Sequence, residues 1–382
     1  MPRAYLDHNA TAPLRPEARR AVESGLHLAA ANPSSAHREG RAVRGLIDRA
    51  RREVAAFLGA RPHEIVFTSS GTEAVNLALQ GSAAVLKSRG RRIAALAIEH
   101  PAVLEPLEAL AAAGWTVDLI PVGASGAVTL EAVDAALKPD TVLLACMWAN
   151  NETGIVQPIA EIAALCAARG VRLFVDAVQA AGRIPLDMKS IPVDLLAISS
   201  HKIGGPAGAG ALYVREGARL ESHVAGGGQE SGLRGGTEST LSRTGFGAAA
   251  AASGIALAEE MAHAAALRAR LIERVGEEVP SARVVGTGES IPNTVQFLVP
   301  HDDEEMLILA LDRAGFAVSA GSACAAGAHR PSHVLAARGA RPDGWAAVRV
   351  SVGPENTAAE MDGFAAALAG CVQPAAAGES VR

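Results

Sequence analysis

Seven short apolar runs, separated by longer helix-compatible stretches, constrain this chain more than any other feature. The runs are Glu64–Thr68, Ile93–Ile98, Thr116–Val122, Thr141–Met147, Val171–Val175, Asp194–Ser199 and Gly210–Val214. Between them, Ala102–Ala113, Leu130–Leu137 and Ile159–Arg169 read as helices, and a further helical pattern opens at Ser69–Glu73. Strands alternating with helices at this spacing predict an α/β fold whose mostly parallel sheet is covered by helices on both faces. The Gly226–Gly236 stretch reads as a loop. A long Ala-rich helical tract from about Gly247 to Val275 then leads into a smaller α+β unit over about 280–370. Its last helix carries a capping-box signature, Thr357 with Glu360 three residues on. The closing Pro374–Arg382 reads as a frayed tail.

Composition narrows the class. A length of 382 residues suffices for two domains, and with 49% apolar residues and mean hydropathy of +0.20 global disorder is not expected. Aromatics make up only 3%, so the core must be built from Ala, Val, Leu and Ile. Thirty-five Lys and Arg against forty Asp and Glu leave a net charge of −5, which carries no bias toward direct nucleic-acid contact. No apolar run reaches 18 residues and the start lacks a signal-peptide apolar region, so no membrane association is expected. Four scattered cysteines, Cys146, Cys166, Cys324 and Cys371, suit neither a disulfide framework nor a CxxC metal site. The expectation is a reduced, cytoplasmic protein with no firm metal site.

In an open α/β sheet, ligands bind beyond the carboxyl ends of the strands. Asp176 follows the Val171–Val175 run and Lys202 follows Asp194–Ser199, so both groups are expected on one sheet edge. Alone, Asp176 reads as a helix N-cap and Lys202 as a solvated loop lysine. Together they admit a sharper account, because a lysine can hold an aldehyde cofactor as a Schiff base and an aspartate can keep a pyridine nitrogen protonated.

Ten stretches then match one family in order: Tyr5–Thr11, Asn32–His37, Glu64–Glu73, Glu99–His100, Asn150–Glu152, Val175–Gln179, Ser199–Pro206, Arg234–Thr237, Ser319–Cys324 and Arg349–Gly353. The chain resembles the pyridoxal-phosphate-dependent cysteine desulfurases of the class V aminotransferase superfamily, in their NifS/IscS-like group. The resemblance implies the fold-type I transferase fold: a large cofactor-binding domain over 13–255 with a mainly parallel seven-stranded sheet, and a small α+β domain from 1–12 and 256–382. It also implies roles. Lys202 would bind pyridoxal 5′-phosphate and shuttle protons at the substrate Cα, Asp176 would pair with the ring N–H, and Asn151 and Gln179 would bond its phenolic oxygen. His100 would stack on the ring and act as acid and base, as an imidazole titrating near working pH can. Gly71 and Thr72 at a helix start, with Ser199 and His201, would hold the phosphate. Thr237 would join them from the neighbouring subunit, so a homodimer is implied. Arg349, with Asn32, would clamp the carboxylate of L-cysteine, although by itself Arg349 reads as a surface ion pair.

Cys324 is the decisive residue under this resemblance. Cys146, Cys166 and Cys371 lie in apolar or helical patterns and read as small packing residues, whereas Cys324 sits in the small-residue stretch Ser319–Gly327. On a mobile loop of about 319–330, its thiolate would take the substrate sulfur as a persulfide and pass it to an acceptor or iron–sulfur scaffold protein. An iron–sulfur hand-off would make Cys324 a metal ligand only transiently. The alternatives are a selenocysteine lyase or another class V enzyme, a sulfur donor for tRNA thiolation or molybdopterin synthesis, and a scaffold without catalysis. His8, Gly71 and Ser200 depart from the residues usual in the family; the Gly71 change is harmless at a phosphate-binding helix start, and His8 has no account from sequence.

Overall fold

The computed structural model describes residues 3–27, 31–321, 332–339 and 342–372. All seven apolar runs are strands of one sheet, ordered Ile65–Thr68, Gly210–Val214, Leu195–Ser199, Arg172–Asp176, Thr141–Met147, Arg92–Leu96 and Thr116–Ile120. Gly210–Val214 runs antiparallel to both its neighbours and every other pairing is parallel. Strand ends shift by one or two residues from the sequence reading; for example, the Val171–Val175 run becomes Arg172–Asp176 and so includes the aspartate.

The central strands are buried along their whole length, because helices cover both faces. Successive side chains serve opposite cores: Leu144 and Cys146 face the cluster of Ile47, Phe67, Val175 and Phe246, while Leu143 and Ala145 face that of Val75, Leu79, Phe174 and Leu212. Only the edge strand Thr116–Ile120 is largely open, with Leu119 54% exposed. Cys146 and Cys166 are buried, as a packing role requires, and Cys371 packs at the margin of a second core.

That second core lies around a three-stranded antiparallel sheet of Trp345–Ser351, Thr294–Pro300 and Arg283–Val284. The Ala-rich helix runs from Thr240 to Glu278, longer than the sequence pattern suggests. Its Phe246, Ala249 and Ala250 belong to the first core, and its Ala264, Leu267, Leu271 and Val275 to the second. The chain start joins this side too: Ala4–Tyr5 pairs in parallel with Phe316–Ala317, and Asp7 bridges to Ser351. The last helix, Ala358–Cys371, opens on the expected Thr357–Glu360 capping box. Pro374–Arg382 lies outside the described residues.

Candidate active site

The register of the parallel strands sets Met147, Asp176 and Ala197 level with one another at the carboxyl edge of the sheet. Asp176 is buried there, and its Oδ1 accepts a hydrogen bond from the Val178 N–H at 2.9 Å. The Leu195–Ser199 strand passes directly into a 3-10 turn, Ser200–Lys202, that delivers Lys202 to the same edge. Lys202 Nζ donates to the carbonyls of Asn9 at 2.5 Å and Ala10 at 2.9 Å. Both residues line a cavity of about 370 Å³ that also takes in Gly71, Thr72, His100, Asn151, Gln179, Ser199, His201 and Arg349.

The Gly71–Leu86 helix aims its N-terminus into this cavity. Ser70 caps it by accepting the Glu73 N–H at 3.1 Å, which leaves the first turn's other N–H groups for a ligand. Gly71 is pressed against the wall: a Cβ there would stand 3.0 Å from Val178 Cγ2 and 3.2 Å from Ser199 Cβ. Glycine in place of a larger residue therefore suits the site.

His100 is the N-cap of the Pro101–Ala112 helix, followed by proline at the first helical position. Its Nδ1 accepts the Ala102 N–H at 3.0 Å, so the neutral ring carries its proton on Nε2. Burial, reinforced by the charges of Lys202 and His333, pushes its pKa down to about 4. The free imidazole value expected from sequence does not survive the enclosure, and the ring is neutral at pH 7. Burial also lowers His201 to about 4, and that ring lies 2.5 Å from Thr11 Oγ1. Asp176 moves the other way: burial raises it to about 6, against the pull of the Val178 N–H and Lys202. Beside His100, the fully buried Glu99 is pushed well above the usual carboxylate range by burial and then by Asp176; it accepts the Met147 N–H at 2.5 Å.

The opposite wall comes from distant parts of the chain. Arg349 is not a surface ion pair but 1% exposed, with its guanidinium 2.7 Å from Asp7 Oδ1 and 3.0 Å from the Asn151 carbonyl. Asn9, which sequence reasoning left without a role inside the Tyr5–Thr11 stretch, organises this side. Its carbonyl accepts from both Lys202 and Gln179, while its Nδ2 donates to Asn151 and Thr294. The neighbouring His8 is buried at 3% exposure, and glycine at 353 makes room for it, since a Cβ there would fall 2.0 Å from the ring.

Two expected residues stand apart. Asn32 is exposed, with its Oδ1 accepting from the Ser34 N–H, and Thr237 is exposed; neither lines the cavity of its own chain. Cys324 and most of the 319–330 loop lie outside the described residues. Among the described residues, no group of three His, Cys, Asp or Glu side chains could hold a metal ion, and no helix is long and apolar enough to cross a membrane.

Comparison with known proteins agrees with this geometry. The family model for aminotransferase class-V matches residues 4–364. A cysteine desulfurase of Cereibacter sphaeroides is 41% identical over 366 residues, covering 95% of this chain and 94% of its own. The cysteine desulfurase IscS of Dictyoglomus turgidum is 38% identical over 334 residues, covering 87% and 85%. The solved structure of a NifS-like protein superposes with a TM-score of 0.90 at 32% identity, covering 96% of this chain and 98% of that one.

Proposed function

The chain belongs to the class-V aminotransferases, among their cysteine desulfurases, and we propose that Lys202, Asp176, His100 and Cys324 divide between them the removal of sulfur from L-cysteine. It is a pyridoxal-phosphate-dependent enzyme of fold type I. The observation that carries the assignment of roles is the convergence of Asp176 and Lys202, from two neighbouring strand ends, on one cavity with His100 and Arg349.

The cavity fits the cofactor. A helix N-terminus at Gly71 and Thr72, flanked by Ser199 and His201, suits a phosphate dianion. Gln179, which lines the same cavity, has a buried Oε1 with no partner among the described residues, while its Nε2 donates to the Asn9 carbonyl. When bound, pyridoxal phosphate supplies an electron-withdrawing ring that stabilises negative charge at the substrate Cα. Asp176 would be the countercharge for the ring nitrogen: among the described residues its buried carboxyl makes no ion pair, and a positive N–H beside it would lower its pKa. Lys202 would bind the aldehyde and move the proton at Cα. His100 presents a neutral ring with the proton on Nε2, while Asn151 and Gln179 would bond the phenolic oxygen. Arg349, oriented by Asp7, receives the substrate carboxylate; a planar guanidinium already fixed on one side loses little freedom in doing so.

Cys324 acts on the sulfur. Its thiolate attacks the substrate Sγ, the Cβ–S bond breaks, and the carbon takes a proton to give L-alanine. The sulfur remains on Cys324 as a persulfide, so cysteine plus one thiol yields alanine plus one persulfide. The persulfide then passes to an acceptor protein of iron–sulfur cluster assembly, a reading supported by the IscS name of a relative. A homodimer is supported by the exposed position of Thr237, outside its own chain's cavity, and a cytoplasmic setting by chemistry that needs reduced thiols. The division into 13–255 and 1–12 with 256–382 is supported by the two separate cores.

Incubation with L-cysteine and a thiol reductant, measuring alanine and sulfide together, tests this reading. Cys324→Ser should bind cofactor and substrate but make almost no sulfide or persulfide. Normal turnover by that variant would place the nucleophile elsewhere.

A further inference from the structure

Both ends of the segment that carries Cys324 meet one buried carboxyl. Glu152 is 2% exposed and follows Asn151 of the cavity wall. Its Oε2 accepts a hydrogen bond from Ser332 Oγ at 2.6 Å. Gly321 packs against the same oxygen: a Cβ there would stand 3.3 Å from Glu152 Oε2 and 3.0 Å from Gln296 Nε2. Gly321 and Ser332 are the described residues that flank 322–331. The Ser332 hydroxyl also accepts the Leu335 N–H at 3.1 Å, so the contact orients the His333–Ala337 helix, and His333 Nε2 lies 2.8 Å from the Glu99 carbonyl beside His100. Glu152 itself is held rigidly, because Asn150 Oδ1 accepts the N–H groups of both Glu152 and Thr153 at 2.9 Å.

We propose that Glu152 is a positioning residue for sulfur transfer, fixing the two flanks of the Cys324-bearing segment against the loop that supplies Asn151. Burial raises its pKa to about 7, opposed by the Ser332 bond and the charge of Arg349 and reinforced by Glu304. Desolvating a carboxyl is costly, and at this position it supplies a strong acceptor to Ser332 that an apolar side chain of the same size would not. The proposal rests on Cys324 being the nucleophile.

The test uses the full-length holoenzyme and first-turnover alanine formation, with the cofactor absorbance change on adding cysteine as a separate readout. Glu152→Ala should slow alanine formation about tenfold and Glu152→Gln, which keeps an acceptor for Ser332, about threefold, the scale of one charge-assisted hydrogen bond. Both should leave the absorbance change and the KM for cysteine as they are. Ser332→Ala should match Glu152→Ala, and the double variant should be no slower than either single one. An unchanged first turnover in folded Glu152→Gln and Ser332→Ala, additive losses, or an equal loss in the absorbance step would each overturn the proposal. Wild-type enzyme that makes no alanine, or Cys324→Ser that still makes it, would instead remove the reading beneath it.

Discussion

The cavity has two walls, and they are built differently. On the sheet wall, Asp176, Ser199 and Lys202 stand at or just beyond the ends of strands, and Gly71 at the start of a helix; each is placed by the element it belongs to. On the other wall, Arg349 and Asn9 are held by partners far away in the chain. Arg349 is held by Asp7 and Asn151, and Asn9 by Thr294, with Asn293 bonded to its Oδ1 at 3.2 Å. The sheet wall can form once the seven-stranded sheet forms, whereas the second wall exists only when the chain start and the three-stranded sheet have docked. Under the proposed roles, cofactor attachment falls to the locally built side, and substrate orientation to the side assembled at long range.

The largest expected effect breaks the sheet wall at its reactive group. Lys202→Ala removes the amine proposed to bind the aldehyde and carry the Cα proton, so kcat should fall by a factor on the order of 10³ to 10⁴. Borohydride should no longer fix cofactor to the protein. Fixation at full occupancy would assign the amine to another residue, and the wall would lose its centre.

Asp176→Asn comes next and separates stability from function. In the folded, cofactor-free chain this carboxyl keeps its proton up to about pH 6, against 3.8 as its ordinary value. The folded state therefore binds more protons between those values, and its stability falls as pH rises through that window, then stays level above it. The shift corresponds to about 3 kcal/mol at most. At pH 7.5 the cofactor-free Asn variant should melt higher than wild type, with the gap closing by pH 4, while turnover with cofactor is largely lost. A variant that melts lower at both pH values would show that Asp176 is not desolvated without compensation.

How much of this was legible in sequence follows the same division. The strand runs, the alternation with helices and the Thr357 cap are local signals, and they located Asp176 at the end of its strand and Lys202 three residues beyond the end of its own. His100 was legible as a residue after a strand, but its neutrality was not, because burial, reinforced by the charges of Lys202 and His333, is a property of packing. Asn9 and the burial of Arg349 were not legible at all from periodicity: their partners Thr294 and Asp7 lie 285 and 342 residues away. The order of the ten family stretches marked those regions without saying what they touch. Thr237 and Asn32 show the converse, motif residues that the single chain does not bring to its own cavity.

The second wall is tested by Asp7→Asn and Arg349→Lys. Among the described residues, loss of the Asp7 charge leaves the buried guanidinium bonded only to the Asn151 carbonyl, and lysine cannot reproduce the two-sided grip. Each should raise the KM for cysteine about tenfold, with cofactor absorbance and borohydride fixation unchanged. A loss of bound cofactor as large as the rise in KM would mean that the two walls are not separable.

The smallest effect asks whether a local feature on the second side stays local. Thr357 Oγ1 accepts the Glu360 N–H at 3.3 Å, and Glu360 Oε2 returns to the Thr357 N–H at 2.7 Å. Thr357→Ala should lower stability by about 1 kcal/mol, as the loss of an N-cap does. The neighbouring Asn356, however, donates to the Tyr5 carbonyl at 3.1 Å and accepts the Gly353 N–H at 2.8 Å, two positions that border His8 and the strand of Arg349. If the cap serves only its helix, denaturant midpoint falls while KM stays at the wild-type value. If KM rises together with the fall in stability, the helix start sets the placement of the chain start, and the long-range wall begins at a signal that was readable in the sequence.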